Sequence, residues 1–596
     1  MKKILEIFTN SFKILSSVWE DWGYRTIVYY FLVLLEGLGL YFVSYLSGQI
    51  INQLGNPQLI MGYNGAYFWM VVFILTILAI QIFFAVSSYL DMAFFLFLQE
   101  KFGMMIVDKK SELDIASQEN PKYSDLIGRV TENNWRVNNF TDRISLIIFN
   151  NIPAVFAQGA VLLFANPLIF LIFIALSIPE FIVQTRFAKR VYSIEADKSE
   201  VKRRYWETRS YFDNLEYLTE FKIYQNAKHF SGLVRRLLRD FRDKELRNDL
   251  ERVKYVLVSN FFSVTGLAIA VVFFVNQVMK GEIPIGTFVF YLGTIQWLRR
   301  DLTNMLRNLG KQMEDSSFVT ELFNFLSIAP DIASSANSIK INHDKSPEII
   351  FENVSFKYPG TENYVLNNLN FKIKAGEKMA LVGVNGAGKT TLVKLICRFY
   401  DPTEGRILIN GIDLKEVDLP SWYKMIGILF QDYPRYHSLV KDAISISRAG
   451  DKTDVQKIKD SAKAAEADIF IDKWEKNYDQ MLGRQFEGGV EPSVGQWQKL
   501  GLARTFYRDP KVMILDEPTS SIDAESEAKI FEKIESIKDD RTTILISHRF
   551  STVRKADGII VIKDGKIIEN GTHDELIKKK KVYYKLFNIQ AKGYKK

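Results

Sequence analysis

Cysteine is almost absent: Cys397 is the single one in 596 residues. That excludes a disulfide within the chain and suits a domain facing a reducing cytoplasm. The N-terminus lacks a cleavable-signal pattern, and the first long apolar run begins only near Ile27. A basic–aromatic platform is also missing. The net charge of +8 and pI of about 9.0 therefore do not point to nucleic acid, and no nucleic-acid partner is expected. A membrane protein with cytoplasmic loops rich in Lys and Arg carries the same excess.

The chain is too long for one ordinary domain, and length alone suggests three or four units. Its mean hydropathy of −0.03 averages two unlike halves. Up to about residue 305, long apolar runs recur. From about residue 345, short strands alternate with helices as in a soluble α/β domain. Residues 1–26 mix Ile4, Ile7, Phe8 and Phe12 with Lys2, Lys3 and Lys13, and place Trp19 and Trp22 near the end. This pattern fits a helix lying at the membrane interface, or equally one packed on protein.

Six spans are expected at 27–51, 67–90, 144–164, 168–187, 255–279 and 287–306, each near the ~20 residues that cross a bilayer. The last is the weakest, because Arg299, Arg300 and Asp301 belong at its cytoplasmic end. Two long gaps, 91–143 and 188–254, keep helical spacing and carry many cations, among them Lys189, Arg190, Lys202, Arg203, Arg204, Arg235, Arg236 and Arg239. The short gaps carry few. This asymmetry puts the N-terminus, both long gaps and the C-terminal half in the cytoplasm, and the chain in the cytoplasmic membrane as a multi-pass protein. Charges inside the spans are few. Glu36 and Glu180, with Asp91 at a span end, are either a cation-preferring surface or partners of other helices. Ser334, Ser335, Ala336, Asn337 and Ser338 read as part of a linker over 331–348, with a soluble domain at 349–596.

That soluble domain is organised around Gly383-Val384-Asn385-Gly386-Ala387-Gly388-Lys389-Thr390-Thr391, which fits G-x-x-x-x-G-K-[ST]. An apolar run at 378–382 precedes it and helical spacing over 391–400 follows. Strand, loop and helix are the context a phosphate-binding loop requires. The glycines let backbone N–H groups turn inward around phosphates, and the helix start adds its positive dipole end. Lys389 supplies a cation for the β- and γ-phosphates, and the Thr390 hydroxyl is a Mg²⁺ ligand candidate.

Further on, Val512-Met513-Ile514-Leu515-Asp516-Glu517 is an apolar strand ending in two carboxylates. Asp516 is placed to hold Mg²⁺, and Glu517 to polarise the attacking water as general base. His548 follows another apolar strand and can reach a γ-phosphate. Gln431, after an apolar strand ending at Phe430, reads as a water or Mg²⁺ contact. Tyr358 is an aromatic able to stack on adenine. Taken alone, Tyr358 and Gln431 are unremarkable.

With these parts in this order, the chain resembles an ATP-binding cassette exporter half-transporter over essentially its whole length. The resemblance implies an all-α polytopic membrane domain over 27–330, six helices with long cytoplasmic extensions, fused to an α/β P-loop cassette. It implies ATP and Mg²⁺ as cofactors. Tyr358 then matches the A-loop, Gln431 the Q-loop, residues 520–523 with Asp523 the D-loop, and His548 the switch histidine. Residues 120–129 and 218–226 fall where the family keeps its two coupling helices, and Gly281-x-x-x-x-Gly286 before the last span is a family habit.

One motif departs. The family signature L-S-G-G-Q reads here Pro492-Ser493-Val494-Gly495-Gln496. Ser493, Gly495 and Gln496 survive as contacts for the ATP held by the opposite subunit. Val494 puts a β-branched side chain where glycine allows close backbone approach. The altered signature beside intact Walker motifs favours a heterodimer with one full and one weakened site, over a homodimer that tolerates Val494.

The implied activity is ATP hydrolysis driving export by alternating access. Glu487 to Glu491 and Gln496-Trp497-Gln498-Lys499 resemble a bacterial subgroup that includes lantibiotic exporters. The cargo expected is thus a small peptide, with amphipathic drugs or lipids as the rival. About 25 residues precede the first span and hold no cysteine, so no leader peptidase is expected. An ATP-gated channel or sensor has the same architecture. A soluble mechanical ATPase is opposed by the spans, and an importer by the fusion of spans to cassette.

Overall fold

The computed structural model describes residues 2–60, 63–195, 200–335, 337–519, 521–536, 541–547 and 549–594. The chain divides into two compact units. One is Met1–Ser111 with Asp125–Ile328; the other is Glu112–Ser124 with Ala329–Lys596. The second unit thus takes in a short piece of chain from the middle of the first unit's sequence.

The first unit is helical. Among the described residues, four helices are long and apolar enough to cross a membrane: Tyr24–Gly55, Gly65–Glu112, Trp135–Ala165 (which runs through a π-turn at Leu146–Asn151) and Ala227–Met279. Each has a stretch with apolar side chains facing outward, with Phe31, Phe84, Phe156, Phe164 and Phe261 exposed. Such a surface is costly in water and ordinary in lipid. Two of the six expected spans are not among these four. In the helix Pro167–Glu195 the described apolar stretch, Pro167–Glu180, is shorter than a span. The helix Ile285–Leu326 is interrupted by Arg299, Arg300 and Asp301. Asp301 is buried there, accepting from Gln158 Nε2 at 2.9 Å and Arg300 Nε at 3.1 Å.

Local chemistry sets the breaks and contacts. Asn166 leaves the helical region and accepts from Ile169 N at 3.0 Å, and Pro167 starts the next helix. A Cβ on Gly286 would stand 2.0 Å from Gly48 O, and one on Gly48 would stand 2.6 Å from Gly286 O. Two small residues facing each other let the helices Tyr24–Gly55 and Ile285–Leu326 touch backbone to backbone. The N-terminal helix Lys2–Trp22 buries Ile14, Val18 and Trp22 and exposes Leu5, Phe8, Phe12 and Trp19. Asp91 accepts from Tyr29 Oη at 2.9 Å, and Glu180 from Thr303 Oγ1 at 2.7 Å. One Glu36 carboxylate oxygen is buried with no hydrogen-bond partner among the described residues.

The second unit holds two sheets. The first is antiparallel, in the order Leu366–Ile373, Ile349–Phe356, Glu404–Ile409, Ile412–Asp413. The second runs Lys566–Gly571, Gly558–Lys563, Lys378–Val382, Thr542–Ile546, Val512–Asp516, Ile426–Leu429. It is parallel except at the Lys566–Gly571 edge. Its inner strands are near-continuous apolar runs because both faces are covered. Register aligns their ends: Ile546 pairs with both Leu381 and Asp516. The loops after these strands therefore emerge along one sheet edge, where open α/β sheets bind ligands.

The expected linker is anchored at several points. Ile332 and Ile341 are buried in this unit's core, and Ile339 bridges to Val417. The inserted segment Glu112–Ser124 is held here too. Asp114 Oδ2 accepts from Ile332 N at 3.2 Å, and Glu119 takes hydrogen bonds from Lys394 Nζ at 3.0 Å and from the Tyr400 hydroxyl.

Candidate nucleotide site

The strand Lys378–Val382 delivers the chain into the loop 383–388, and the helix Lys389–Ile396 leaves it. The loop needs its glycines. A Cβ on Gly383 would meet Ile562 O at 2.3 Å, and Gly388 sits at φ +100°, closed to other residues. The helix is shorter than the spacing over 391–400 suggests. It ends at Ile396 with Cys397 as its cap, because Arg398 turns to φ +51°. Cys397 therefore lies at the helix end, not inside it. Burial pushes its thiol up to about 12.

Lys389 is buried, and its Nζ donates to Gly383 O at 2.9 Å and Val384 O at 3.1 Å. Burial lowers its pKa, while Glu517 and Asp516 nearby oppose that shift. The ammonium is held in the loop by two carbonyls, a position from which a phosphate can recruit it.

Asp516 ends the strand Val512–Asp516 and is buried. Thr390 Oγ1 donates to its Oδ2 at 3.1 Å. Burial pushes the Asp516 carboxyl up to about 6, and the Glu517 charge adds to this, against the Thr390 hydrogen bond and Lys389. The next residue, Glu517, is at φ +49°, a left-handed conformation costing about 1–2 kcal/mol for a residue with a Cβ. Its N–H donates to Ile546 O at 2.9 Å.

These groups meet around one cleft of ≈ 660 Å³. Asn385, Gly386, Gly388, Lys389, Thr390, Thr391, Gln431, Asp516 and Glu517 line it, with Val365. Of the remaining expected site residues, Gly383 shapes the loop from behind. The Tyr358 hydroxyl lies 3.0 Å from Thr391 Oγ1, and its ring packs edge-on against Tyr400; it is not on the cleft wall. Asp523 Oδ1 accepts from Ser526 N at 2.9 Å ahead of the helix Ala524–Ser536, which lowers its pKa. His548 and Ser520 lie outside the described residues.

Ser493, Gly495 and Gln496 sit at the start of the helix Val494–Arg508, away from this cleft. Ser493 Oγ accepts from Gln496 N at 3.3 Å, and Gln496 Oε1 accepts from Ser493 N at 2.9 Å, a reciprocal cap. Val494 is the first helical residue, with its side chain half exposed.

Residues 366–520 match the ABC transporter family. The cassette that carries the cleft is thus similar to the ATP-binding domain of ABC transporters. A Bacillus subtilis relative, YgaD, named as a candidate multidrug export ATP-binding/permease protein, is 35% identical over 352 residues. That alignment covers 59% of either chain, so the chain spans little more than half of this relative's length. The subtilin transport ATP-binding protein SpaT of Bacillus subtilis is 27% identical over 504 residues, 84% of this chain and 81% of SpaT. In fold, the chain is similar to a bacterial Atm1-family ABC exporter solved with ATP bound. The TM-score is 0.81 at 22% identity, over 96% of this chain and 99% of that one.

An ABC transporter cassette binds ATP, and the donors here fit a magnesium ion beside it. Thr390 and Asp516 already share a hydrogen bond at the cleft wall, and Gln431 offers an amide oxygen there. These are hard oxygen donors with one carboxylate, leaving positions for water and phosphate oxygens. Among the described residues no cluster of three or more His, Cys, Asp or Glu could cage a metal without substrate.

One buried side chain, named above only within Gln496-Trp497-Gln498-Lys499, had been given no role at the site. Gln498, 2% exposed, donates from Nε2 to Glu517 O at 3.0 Å and accepts at Oε1 from Ser521 N at 3.0 Å. The available signal was its place, two residues past Gln496 in a helix otherwise buried by Trp497, Leu500 and Gly501.

Proposed function

We propose that this chain is one half of an ATP-driven exporter of the cytoplasmic membrane, with its cassette in the cytoplasm. The observation that carries this reading is the convergence of Lys389, Thr390, Asp516 and Glu517 on one cleft at the sheet edge. The loop N–H groups and Lys389 bind the phosphates of ATP. Thr390, Asp516 and Gln431 hold Mg²⁺, which neutralises charge on the β- and γ-phosphates when bound. Glu517 accepts a proton as a water oxygen bonds to the γ-phosphorus and the bond to the ADP oxygen breaks, leaving ADP and phosphate. His548 steadies the γ-phosphate, and Tyr358 supports the base.

Two cassettes close head to tail, each ATP held between one loop and the other chain's Ser493, Gly495 and Gln496 or their counterparts. Asp523 lies near that junction. Closure and release drive alternating access across residues 27–330. The second chain is a different half-transporter with an intact signature, because Val494 weakens the site that this chain's signature helix completes. The cargo is a small amphipathic peptide of the lantibiotic type; drugs and lipids are its rivals.

Transport by inside-out vesicles carrying this chain and its partner tests the reading. ATP-dependent uptake of a labelled lantibiotic, lost in Glu517→Gln, is the expected result. ATP-dependent equilibration without accumulation would instead mark a gated channel.

A further inference from the structure

We propose that Gln498 is a positioning residue for hydrolysis, clamping the turn that carries Glu517 to the helix that carries Ser493. This rests on the reading of Glu517 as the general base.

Glu517 stands in a left-handed conformation at φ +49°, which persists only where the surroundings hold it. On one side its N–H bonds Ile546 O of the neighbouring strand at 2.9 Å. On the other, the Gln498 amide takes both ends of the turn, Glu517 O and Ser521 N, each at 3.0 Å. A single planar amide donating at one end and accepting at the other ties the backbone of Glu517 to that of Ser521. One more bond, to the helix Ala524–Ser536 that follows the turn, and one close backbone approach hold these segments together. Lys499 Nζ donates to Ser526 Oγ at 2.8 Å, and a Cβ on Gly495 would come within 2.6 Å of Ser521 O. The turn and the helix Val494–Arg508 therefore move as one body.

The consequence is a link between two nucleotide sites. The N-terminal end of that helix presents Ser493 and Val494, and its fifth residue sets the backbone of this chain's own base. Engagement of the helix start by the second nucleotide is felt at Glu517 through Gln498. A buried glutamine that merely satisfied two backbone groups would affect folding and ATP binding together. A positioning glutamine affects turnover and leaves ATP binding in place.

The experiment uses the full chain, assembled in lipid with its partner half-transporter, as wild type, Glu517→Gln, Gln498→Leu and Gln498→Glu. It reads kcat and KM for ATP, equilibrium binding of a fluorescent ATP analogue, and hydrogen exchange over residues 517–523. Gln498→Leu is expected to lower kcat about tenfold or more, since a misplacement of about 1 Å can cost about 100-fold. Its KM and analogue binding should stay within about twofold, with faster exchange in the turn. Gln498→Glu keeps the acceptor for Ser521 N and loses the donor to Glu517 O, so its kcat should fall between the two. Unchanged exchange in Gln498→Leu would overturn the clamp. Unchanged kcat, or loss of analogue binding in step with kcat, would overturn the positioning role. Hydrolysis equal in wild type and Glu517→Gln would overturn the general-base reading and the positioning role with it; exchange would then report on the clamp alone.

Discussion

Thr390 Oγ1 lies 3.1 Å from Asp516 Oδ2, joining the end of the glycine loop to the end of a strand that follows it by more than a hundred residues. The parallel register makes this possible. Both chain positions leave the sheet at the same edge, so a hydroxyl and a carboxylate of distant sequence converge on one cation position.

Asp516→Asn separates charge from shape at that point. Burial raises the Asp516 carboxyl from 3.8 to about 6, so the folded state binds the proton more tightly than the unfolded one. Stability from this group is present below about pH 4 and is lost as pH rises through about 6. The asparagine variant should therefore be more stable than wild type at pH 7 without nucleotide, and the gap should close toward pH 4. Thermal unfolding across this range checks the sign. Mg²⁺-dependent hydrolysis should fall by about 100-fold or more.

Cys397 should be inert. It is fully buried, and its thiol is pushed up to about 12, so little thiolate exists at neutral pH. A maleimide should leave the native protein unlabelled and label one site per chain after denaturation. Rapid native labelling would mean that the end of the helix Lys389–Ile396 opens.

Gly286→Ala tests the helix contact in the first unit. The added methyl carbon would stand 2.0 Å from Gly48 O, a backbone atom that cannot swing aside. Overpacking of this kind costs about 1–3 kcal/mol. The variant should unfold at lower temperature in the same lipid, whereas Gly232→Ala, with open space at its Cβ, should not.

The glycine loop and the Asp516-Glu517 strand end were legible because each is local: a strand, a turn and a helix written in adjacent residues. The buried sheet was legible for the same reason, from short apolar runs. What was not legible depends on distant partners. Nothing in residues 112–124 announces that Asp114 and Glu119 are held by Ile332, Lys394 and Tyr400. Polar residues 334–338 suggest a free linker, yet Ile332 and Ile341 on either side are buried. Gln498 looks like one more polar helix residue until Ser521 N is seen at its oxygen. Arg398 at φ +51° ends a helix that its sequence would continue.

Val494 bears on the dimer. If its side chain weakens the site shared with a partner's nucleotide, Val494→Gly should raise the ATPase rate of this chain purified alone, by about tenfold. Light scattering should show the same assembly state before and after. An unchanged rate in a fully active dimer of one chain would remove the argument for a second, different subunit.

The most direct measurement is ATP hydrolysis by the full chain assembled in lipid with its partner half-transporter, with and without Glu517→Gln in this chain, beside equilibrium ATP binding. The account predicts Mg²⁺-dependent hydrolysis that falls by about 100-fold or more in the variant, with ATP bound as tightly as before. Hydrolysis that survives Glu517→Gln would contradict the assignment of the base, and ATP binding and hydrolysis both unchanged in Lys389→Ala would contradict the site itself.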